Sequence, residues 1–278
     1  MRVIDSKLIT ETVRQMCIDT CCNIPQNIYA ALKSAKEKER SPFGREILSQ
    51  LITNIEIAKE KQMPACQDTG MAVIFADIGQ DVHIEGDLFA AIEEGVRQGY
   101  RDGYLRASTV TPLSRKNPGD NTPPIVHYDI VQGDKLTLSM APKGFGSENM
   151  SALKMLKPSS GIEGVKEFII DTVKTAGANP CPPIVVGVGI GGTMEKAALM
   201  AKRQLLRDVD SINPDPFLKD MEAELLEKIN ALGIGPGGLG GDTTALAVFI
   251  DTYNTHIAGL PVAVNMQCHA ARHKTVVL

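Results

Sequence analysis

The sequence has no tryptophan, and aromatic residues make up only 4% of its 278 positions. So few ring faces argue against a protein that stacks on nucleic-acid bases. Positive charge is not in excess either, since 29 Lys and Arg face 33 Asp and Glu for a formal net charge of −4. A phosphate backbone needs a basic surface, so a nucleic-acid partner is not expected. No apolar run approaches the roughly 20 residues that span a bilayer. The longest, near Ile184–Ile190, is interrupted by Gly187 and Gly189. The first residues, MRVIDSKLITETVRQ, lack the apolar core and small-residue cleavage site of a secretory signal. A cytoplasmic protein with no membrane contact is the expectation. C-x-x-C pairs are also missing, which removes zinc-finger, zinc-ribbon and ferredoxin spacings.

What is present is an ordinary globular composition, 43% hydrophobic and 22% charged. A chain of this length buries roughly three quarters of its unfolded surface and needs no staples to fold. The unusual counts are 25 Gly, 16 Pro and 6 Cys. Thiols stay reduced in the cytoplasm, so the cysteines are not read as a disulfide framework.

Hydrophobic spacing predicts helices through residues 1–62. Ile9, Val13, Met16 and Cys17 share one face after a cap at Asp5 or Ser6. Ile28, Ala31, Leu32 and Ala35 repeat the pattern, and Ser41-Pro42 opens a third helix. The charged run KSAKEKER reads as a solvated face. From Pro64 onward strands and helices are mixed. Strands are expected at Met71–Ile78, Ile184–Ile190, Ala245–Asp251 and Pro261–Val264. Ile125–Val131 and Leu136–Met140 are expected to pair across a Gln132-Gly133-Asp134 turn. Helices are expected from Asp87, over Ile162–Ala176 with Gly177 as its stop, and over Met194–Leu206 and Pro216–Leu232. The fold class expected is mixed α/β, as one domain over residues 1–278. It would have a central mixed sheet flanked by helices, with residues 1–62 as a helical N-terminal layer.

Gly187, Gly189 and Gly192 match G-x-G-x-x-G between a strand and a helix. One reading is a nicotinamide-dependent oxidoreductase; another is a tight turn, or an amide cradle for an anion. The cysteines divide by context. Cys17, Cys21 and Cys22 lie in or beside the first helix and read as packing. Cys66, Cys181 and Cys268 each sit in a loop of Pro, Gly, Asn or Gln. Spacing leaves two readings for these three: unrelated thiols, or ligands of one cluster whose fourth iron has no protein thiolate.

The local sequences add more. Cys66-Gln67-Asp68-Thr69-Gly70, Lys143-Gly144-Phe145-Gly146-Ser147-Glu148-Asn149, Asn179-Pro180-Cys181-Pro182-Pro183, Gly191-Gly192-Thr193 and Asn265-Met266-Gln267-Cys268-His269-Ala270 occur in order along the chain. Together they resemble the iron–sulfur-dependent class I fumarases and L-tartrate dehydratases, and specifically the alpha subunit of the two-subunit form. The resemblance covers essentially the whole chain. It implies a hydro-lyase with a [4Fe–4S] cluster, reversible hydration of fumarate to L-malate (a step of the tricarboxylic acid cycle), and a beta subunit carrying the rest of the active site. L-Tartrate dehydratase is the alternative within the family.

Carried over by motif, the resemblance makes Cys66, Cys181 and Cys268 the cluster ligands. It puts Gln67, Arg106 and Gly146 on the dicarboxylate substrate, and Asp68 and His256 in catalytic roles. Phe145 stands where many relatives have a further glycine, which leaves Gly144 and Gly146 both open as the substrate contact. The chemistry agrees: Arg106 offers a planar fork for a carboxylate, Asp68 could move a proton, and His256 could orient or protonate a group. His269, Arg272 and His273 crowd the third cysteine and read as supporting groups or a subunit contact. His83 and His127 read as structural.

Overall fold

The computed structural model describes residues 2–278. The mixed α/β class holds. The chain forms two compact units: residues 1–24, 55–144 and 272–278 in the first, and residues 25–54 and 145–271 in the second. Where one central sheet was expected, each unit has a four-stranded mixed sheet of its own.

In the first unit the chain opens with β1 (Arg2–Asp5) and then α1 (Ser6–Cys22). Asp5 caps α1, its Oδ1 accepting the Lys7 N–H at 2.8 Å. After β2 (Met71–Gly79) and β3 (Val82–Glu85) comes α4 (Leu88–Asp102), capped by Asp87. Next come β4 (Ile125–Val131) and β5 (Leu136–Lys143), and β10 (Lys274–Val277) closes the set. The sheet order is β10-β5-β2-β4, while β1 and β3 form a separate parallel pair. The expected β4–β5 hairpin is therefore corrected, because β2 lies between them, parallel to β4 and antiparallel to β5. The reason is local. The turn arches over the end of β2, with Gly79 N–H donating to the Lys135 carbonyl and Gln80 N–H to that of Val131. A Cβ on Gly79 would lie 2.3 Å from the Gly133 carbonyl oxygen. The apolar run in β2 suits the central position, whereas β4 is largely exposed.

One face of this sheet packs on α1 and α4 through Ile74, Leu138 and Met140 from the strands, Ile9, Val13 and Cys17 from α1, and Ile92 and Val96 from α4. The two helices touch closely. Cβ atoms on Gly95 and Gly99 would sit 2.7 Å from Val13 Cβ and 2.6 Å from Cys17 Cβ. A small residue on both helices is what allows that approach.

The second unit contains α2 (Gln26–Lys38) and residues 42–54 of α3 (Pro42–Lys61). Residues 1–62 are thus helical after β1, but they are not one layer, since α1 is built into the other unit's core. Then follow the short α5 (Phe145–Glu148), β6 (Ala152–Leu156), α6 (Gly161–Ala176), β7 (Ile184–Gly191), α7 (Met194–Gln204), α8 (Pro216–Asn230), β8 (Ala245–Tyr253) and β9 (Leu260–Gln267). The sheet order is β6-β9-β7-β8, with β7 parallel to β8 and antiparallel to β9. Val186, Val188, Val264 and Met266 meet α6 and α8 in the larger core. Gly187 and Gly189 point the other way, and their Cβ atoms would lie 2.2 Å from the Ala201 and Ala197 carbonyls of α7. These two glycines let a helix lie directly on the strand, so close packing accounts for the G-x-G spacing.

β1, β3, β6 and β10 are short strands that sequence spacing does not announce. Among the described residues no helix is long and apolar enough to cross a membrane. Gly99→Ala is expected to lower stability by about 1–3 kcal/mol through overpacking against Cys17. A urea denaturation midpoint unchanged from the parent would contradict this account of the α1–α4 contact.

Candidate functional site

The residues expected to act together lie on loops, and buried polar side chains fix the backbone of those loops. In the first unit the loop holding Cys66, Gln67 and Asp68 runs directly into β2. The Tyr100 hydroxyl donates to the carbonyls of Thr69 (3.0 Å) and Gly70 (2.9 Å). Asn121 Nδ2 also donates to the Gly70 carbonyl, and its Oδ1 accepts the N–H groups of Ser108 and Thr109. Tyr100 is fully enclosed, and burial pushes its hydroxyl well above its usual pKa, so it stays a donor. Asp68 Oδ1 accepts the Gly70 N–H at 3.0 Å, an Asx turn. The buried Arg272 guanidinium donates to the Asp68 carbonyl.

Arg106 joins this group through its backbone. Its N–H donates to Thr69 Oγ1 at 2.9 Å, while its side chain is exposed. The buried Lys143 backbone crosses the same loop, and a Cβ on Gly70 would strike it at 2.7 Å. A Cβ on Gly144 would sit 3.1 Å from Asp68 Oδ2. Gln67, Asp68, Arg106 and Gly144 are therefore neighbouring parts of one loop cluster, with Gln67 exposed.

In the second unit, Cys181 and Cys268 come together. The His269 N–H donates to the Cys181 carbonyl at 3.2 Å. Cys181 holds a left-handed backbone at φ 56°, a conformation uncommon outside glycine and frequent at functional sites. Glu148 accepts from Asn265 Nδ2 at 2.9 Å and from Lys202 Nζ, which ties two of the quoted motifs to α7. Gly146 has room around it, the nearest atom to its Cβ position being the Asn179 carbonyl oxygen at 3.5 Å.

Behind Cys181 lies a glycine-rich loop over residues 233–244. Gly237 N–H donates to the Pro182 carbonyl at 2.9 Å. The loop is held by Glu39, whose fully buried carboxylate accepts the N–H groups of Ser41, Asp242 and Thr243 at about the same distance, 2.9–3.0 Å. Sequence reasoning missed Glu39 because it sits in the charged run read as a solvated face. It also missed Tyr100 and Asn121, which lie far in sequence from the carbonyls they hold. The signal available was the Gly-rich loop itself, which needs an external partner for its N–H groups.

His256 is the expected residue that its unit does not bring to the thiols. It lies in the exposed connection between β8 and β9, its Nδ1 accepting the Ala258 N–H. Cys268 follows the other end of β9, about 25 Å away at 3.3 Å per residue. Within one chain, His256 and the Cys181–Cys268 pair face opposite ends of the sheet. The C-terminal residues after His273 form β10 beside β5 in the first unit's sheet.

The thiols divide sharply. Cys17, Cys21 and Cys22 are buried, whereas Cys66 and Cys268 are partly exposed and Cys181 is exposed. All six are free. Burial pushes the Cys17 and Cys22 thiols up, and lifts Cys21 to about 11. The thiolate of an accessible loop cysteine is a suitable donor for iron. Among the described residues, no three His, Cys, Asp or Glu side chains are already gathered as an ion-binding group.

Residues 10–277 match the family model described as "Fumarate hydratase (Fumerase)". A protein of Methanocaldococcus jannaschii, provisionally named an L(+)-tartrate dehydratase alpha subunit, is 44% identical over 271 residues, 95% of each chain. The L(+)-tartrate dehydratase alpha subunit of Escherichia coli O157:H7 is 33% identical over 274 residues, 97% of this chain and 90% of the relative. The chain belongs to the fumarate hydratase family and is a hydro-lyase.

At pH 8 a thiol with a pKa near 11 is about 0.1% thiolate. Iodoacetamide applied to the reduced native protein is therefore expected to label Cys66, Cys181 and Cys268 well before Cys17 and Cys21. Peptide mass spectrometry reads the order, and early labelling of Cys21 would contradict the burial assignment.

Proposed function

We propose that this chain is the alpha subunit of a two-subunit cytoplasmic hydro-lyase that interconverts fumarate and L-malate, with Cys66, Cys181 and Cys268 holding a [4Fe–4S] cluster. The observation that carries the reading is the division of the six cysteines, none in a disulfide, with the three accessible ones lying in the motifs that resemble the family. Free thiols also suit a reducing compartment. Cys66, Cys181 and Cys268 would hold the cluster, which when bound would supply Lewis acidity toward a hydroxyl group.

The chain's own residues bind and orient. Arg106 has its backbone held by Thr69 and its guanidinium free to project, so it takes one substrate carboxylate as a bidentate pair. Gln67 donates to the same dicarboxylate, and Gly146, with open space at its α-carbon, offers its N–H. Asp68 keeps its carboxylate beside Gly144, where it accepts or returns a proton. The relatives' names include the words alpha subunit, which supports a beta subunit as partner; we assign the base that removes the C3 proton to it. Orientation of substrate between the two subunits then lowers the barrier together with the Lewis acid.

A second reading, dehydration of L-tartrate to oxaloacetate, is favoured by the names of the relatives. Arg106 would serve it equally, because both substrates are four-carbon dicarboxylates.

Anaerobic reconstitution of the co-purified subunits with iron and sulfide tests the proposal. Cys66→Ser, Cys181→Ser and Cys268→Ser are each expected to lose the stable cluster, read by visible absorption and electron paramagnetic resonance. Full assembly with full activity in any one would overturn the ligand set. The parent complex is assayed on fumarate, L-malate and L-tartrate, and turnover of tartrate alone would replace the first reading by the second. Arg106→Lys is expected to lower kcat/KM by about 10–100-fold, the worth of a charge-assisted bidentate contact, while the cluster spectrum stays unchanged.

A further inference from the structure

Of the three loop cysteines only Cys181 has a left-handed backbone, at φ 56°. A residue with a Cβ keeps that conformation only where its surroundings over-determine it. Three backbone contacts do so here. The Cys181 N–H donates to the Ala178 carbonyl at 3.0 Å, the His269 N–H to the Cys181 carbonyl at 3.2 Å, and the Gly237 N–H to the Pro182 carbonyl at 2.9 Å. The third contact comes from the glycine loop, and Gly238 packs beside it. A Cβ on Gly238 would lie 2.2 Å from Ala178 Cβ. The glycine loop therefore touches the Cys181 turn both before and after the cysteine.

A loop of this composition is costly to fix, because glycine loses the most conformational freedom on ordering. Gly237 and Gly238 themselves hold φ of 65° and 74°. Glu39 supplies the anchor. Its side chain is wholly buried, and both carboxylate oxygens accept the Asp242 N–H, while Thr243 and Ser41 donate to one oxygen each. The seat is shaped for it. A Cβ on Gly241 would sit 2.9 Å from Glu39 Oε1, and one on Gly44 3.0 Å from Glu39 Cδ. Hydrogen bonds to a charged acceptor in such a dry seat are the strong kind. The Arg40–Asp242 ion pair holds the same loop from outside, but the Arg40 side chain is 86% exposed, and exposed pairs contribute little.

We propose that Glu39 is a positioning residue for Cys181. Through the glycine loop it sets the backbone from which that thiol is presented to the cluster. The proposal rests on the reading of Cys181 as a cluster ligand. Glu39 acts through Gly237 and Pro182, so its removal changes how firmly the thiol is held and not the thiol's own chemistry.

The test uses the full chain in the complex with which it co-purifies, under argon, and the variant Glu39→Gln. Glutamine keeps the length but turns one acceptor into a donor that faces backbone N–H groups. In the reduced complex stripped of iron, the peptide over residues 176–184 is expected to exchange its amide hydrogens about tenfold faster than in the parent, the worth of a hydrogen bond to a charged acceptor. The peptide over residues 64–70, in the other unit, should exchange as before. In the reconstituted complex, loss of the cluster to a ferrous chelator is expected to be about tenfold faster. The visible circular dichroism of the cluster should change shape with it. Ile229→Val, a truncation at a fully buried position of the same unit, is expected to lower the urea midpoint and to move none of these local readouts. Arg40→Ala should leave them within about twofold of the parent. If the glutamine variant does not fold, Glu39→Asp, which keeps the charge but falls a methylene short of the loop, should show the same changes. Parent-like exchange over residues 176–184 in the Glu39 variant would overturn the proposal, as would an equal change in Ile229→Val. A parent that takes up no cluster would overturn instead the ligand reading. The exchange measurement, made without iron, then still decides whether Glu39 holds Cys181.

Discussion

Backbone polar groups that leave regular structure must find partners, and in this protein a few buried side chains supply them. Tyr100 and Asn121 hold the carbonyls of Thr69 and Gly70, and so fix the loop with Cys66, Gln67 and Asp68. In the second unit, Glu39 gathers the N–H groups of Asp242 and Thr243, anchoring the glycine loop whose Gly237 N–H reaches Pro182 beside Cys181. Each unit thus has its own anchor, and each anchor comes from a segment distant in sequence from the loop it holds. Removing such an acceptor or donor leaves several buried groups unsatisfied at once, which is why these residues are worth more than a single hydrogen bond.

Close backbone approach is the second constraint. Gly95 and Gly99 bring α4 onto α1, and Gly187 and Gly189 bring α7 onto β7. In both places the glycine faces another element's backbone or a small side chain, and a single methyl would collide. The same feature explains why Cys17 is small and why a dinucleotide-like spacing occurs in a chain of another family. Gly144 shows the functional form of the constraint, since its bare α-carbon lies against the Asp68 carboxylate.

Much of the candidate site was legible as motifs because its residues are rare types in distinctive company. A cysteine between two prolines, or one after Asn-Met-Gln, stands out in sequence, and the structure puts Cys181 and the start of the Cys268 loop in contact through His269. The division of six cysteines into core and loop sets also followed from periodicity, because Cys17 continues the apolar stripe of α1. Strand order was not legible. β4 and β5 look like hairpin partners, and only the burial of β2 between them reveals that the turn arches over a third strand. The resemblance gives His256 a catalytic role, yet within one chain the extended strand Leu260–Gln267 lies between it and Cys268 and carries the two apart.

Composition, helix periodicity, caps and the cysteine motifs were thus determined by the sequence alone, because each depends on residues within a turn or two of one another. Asp5, Asp87 and Asp215 cap helices where local spacing predicts a start. Tertiary structure decided the division into two sheets, the anchoring roles of Glu39, Tyr100 and Asn121, and the packing role of the glycines. Those depend on which distant backbone a side chain meets, and no local pattern encodes that.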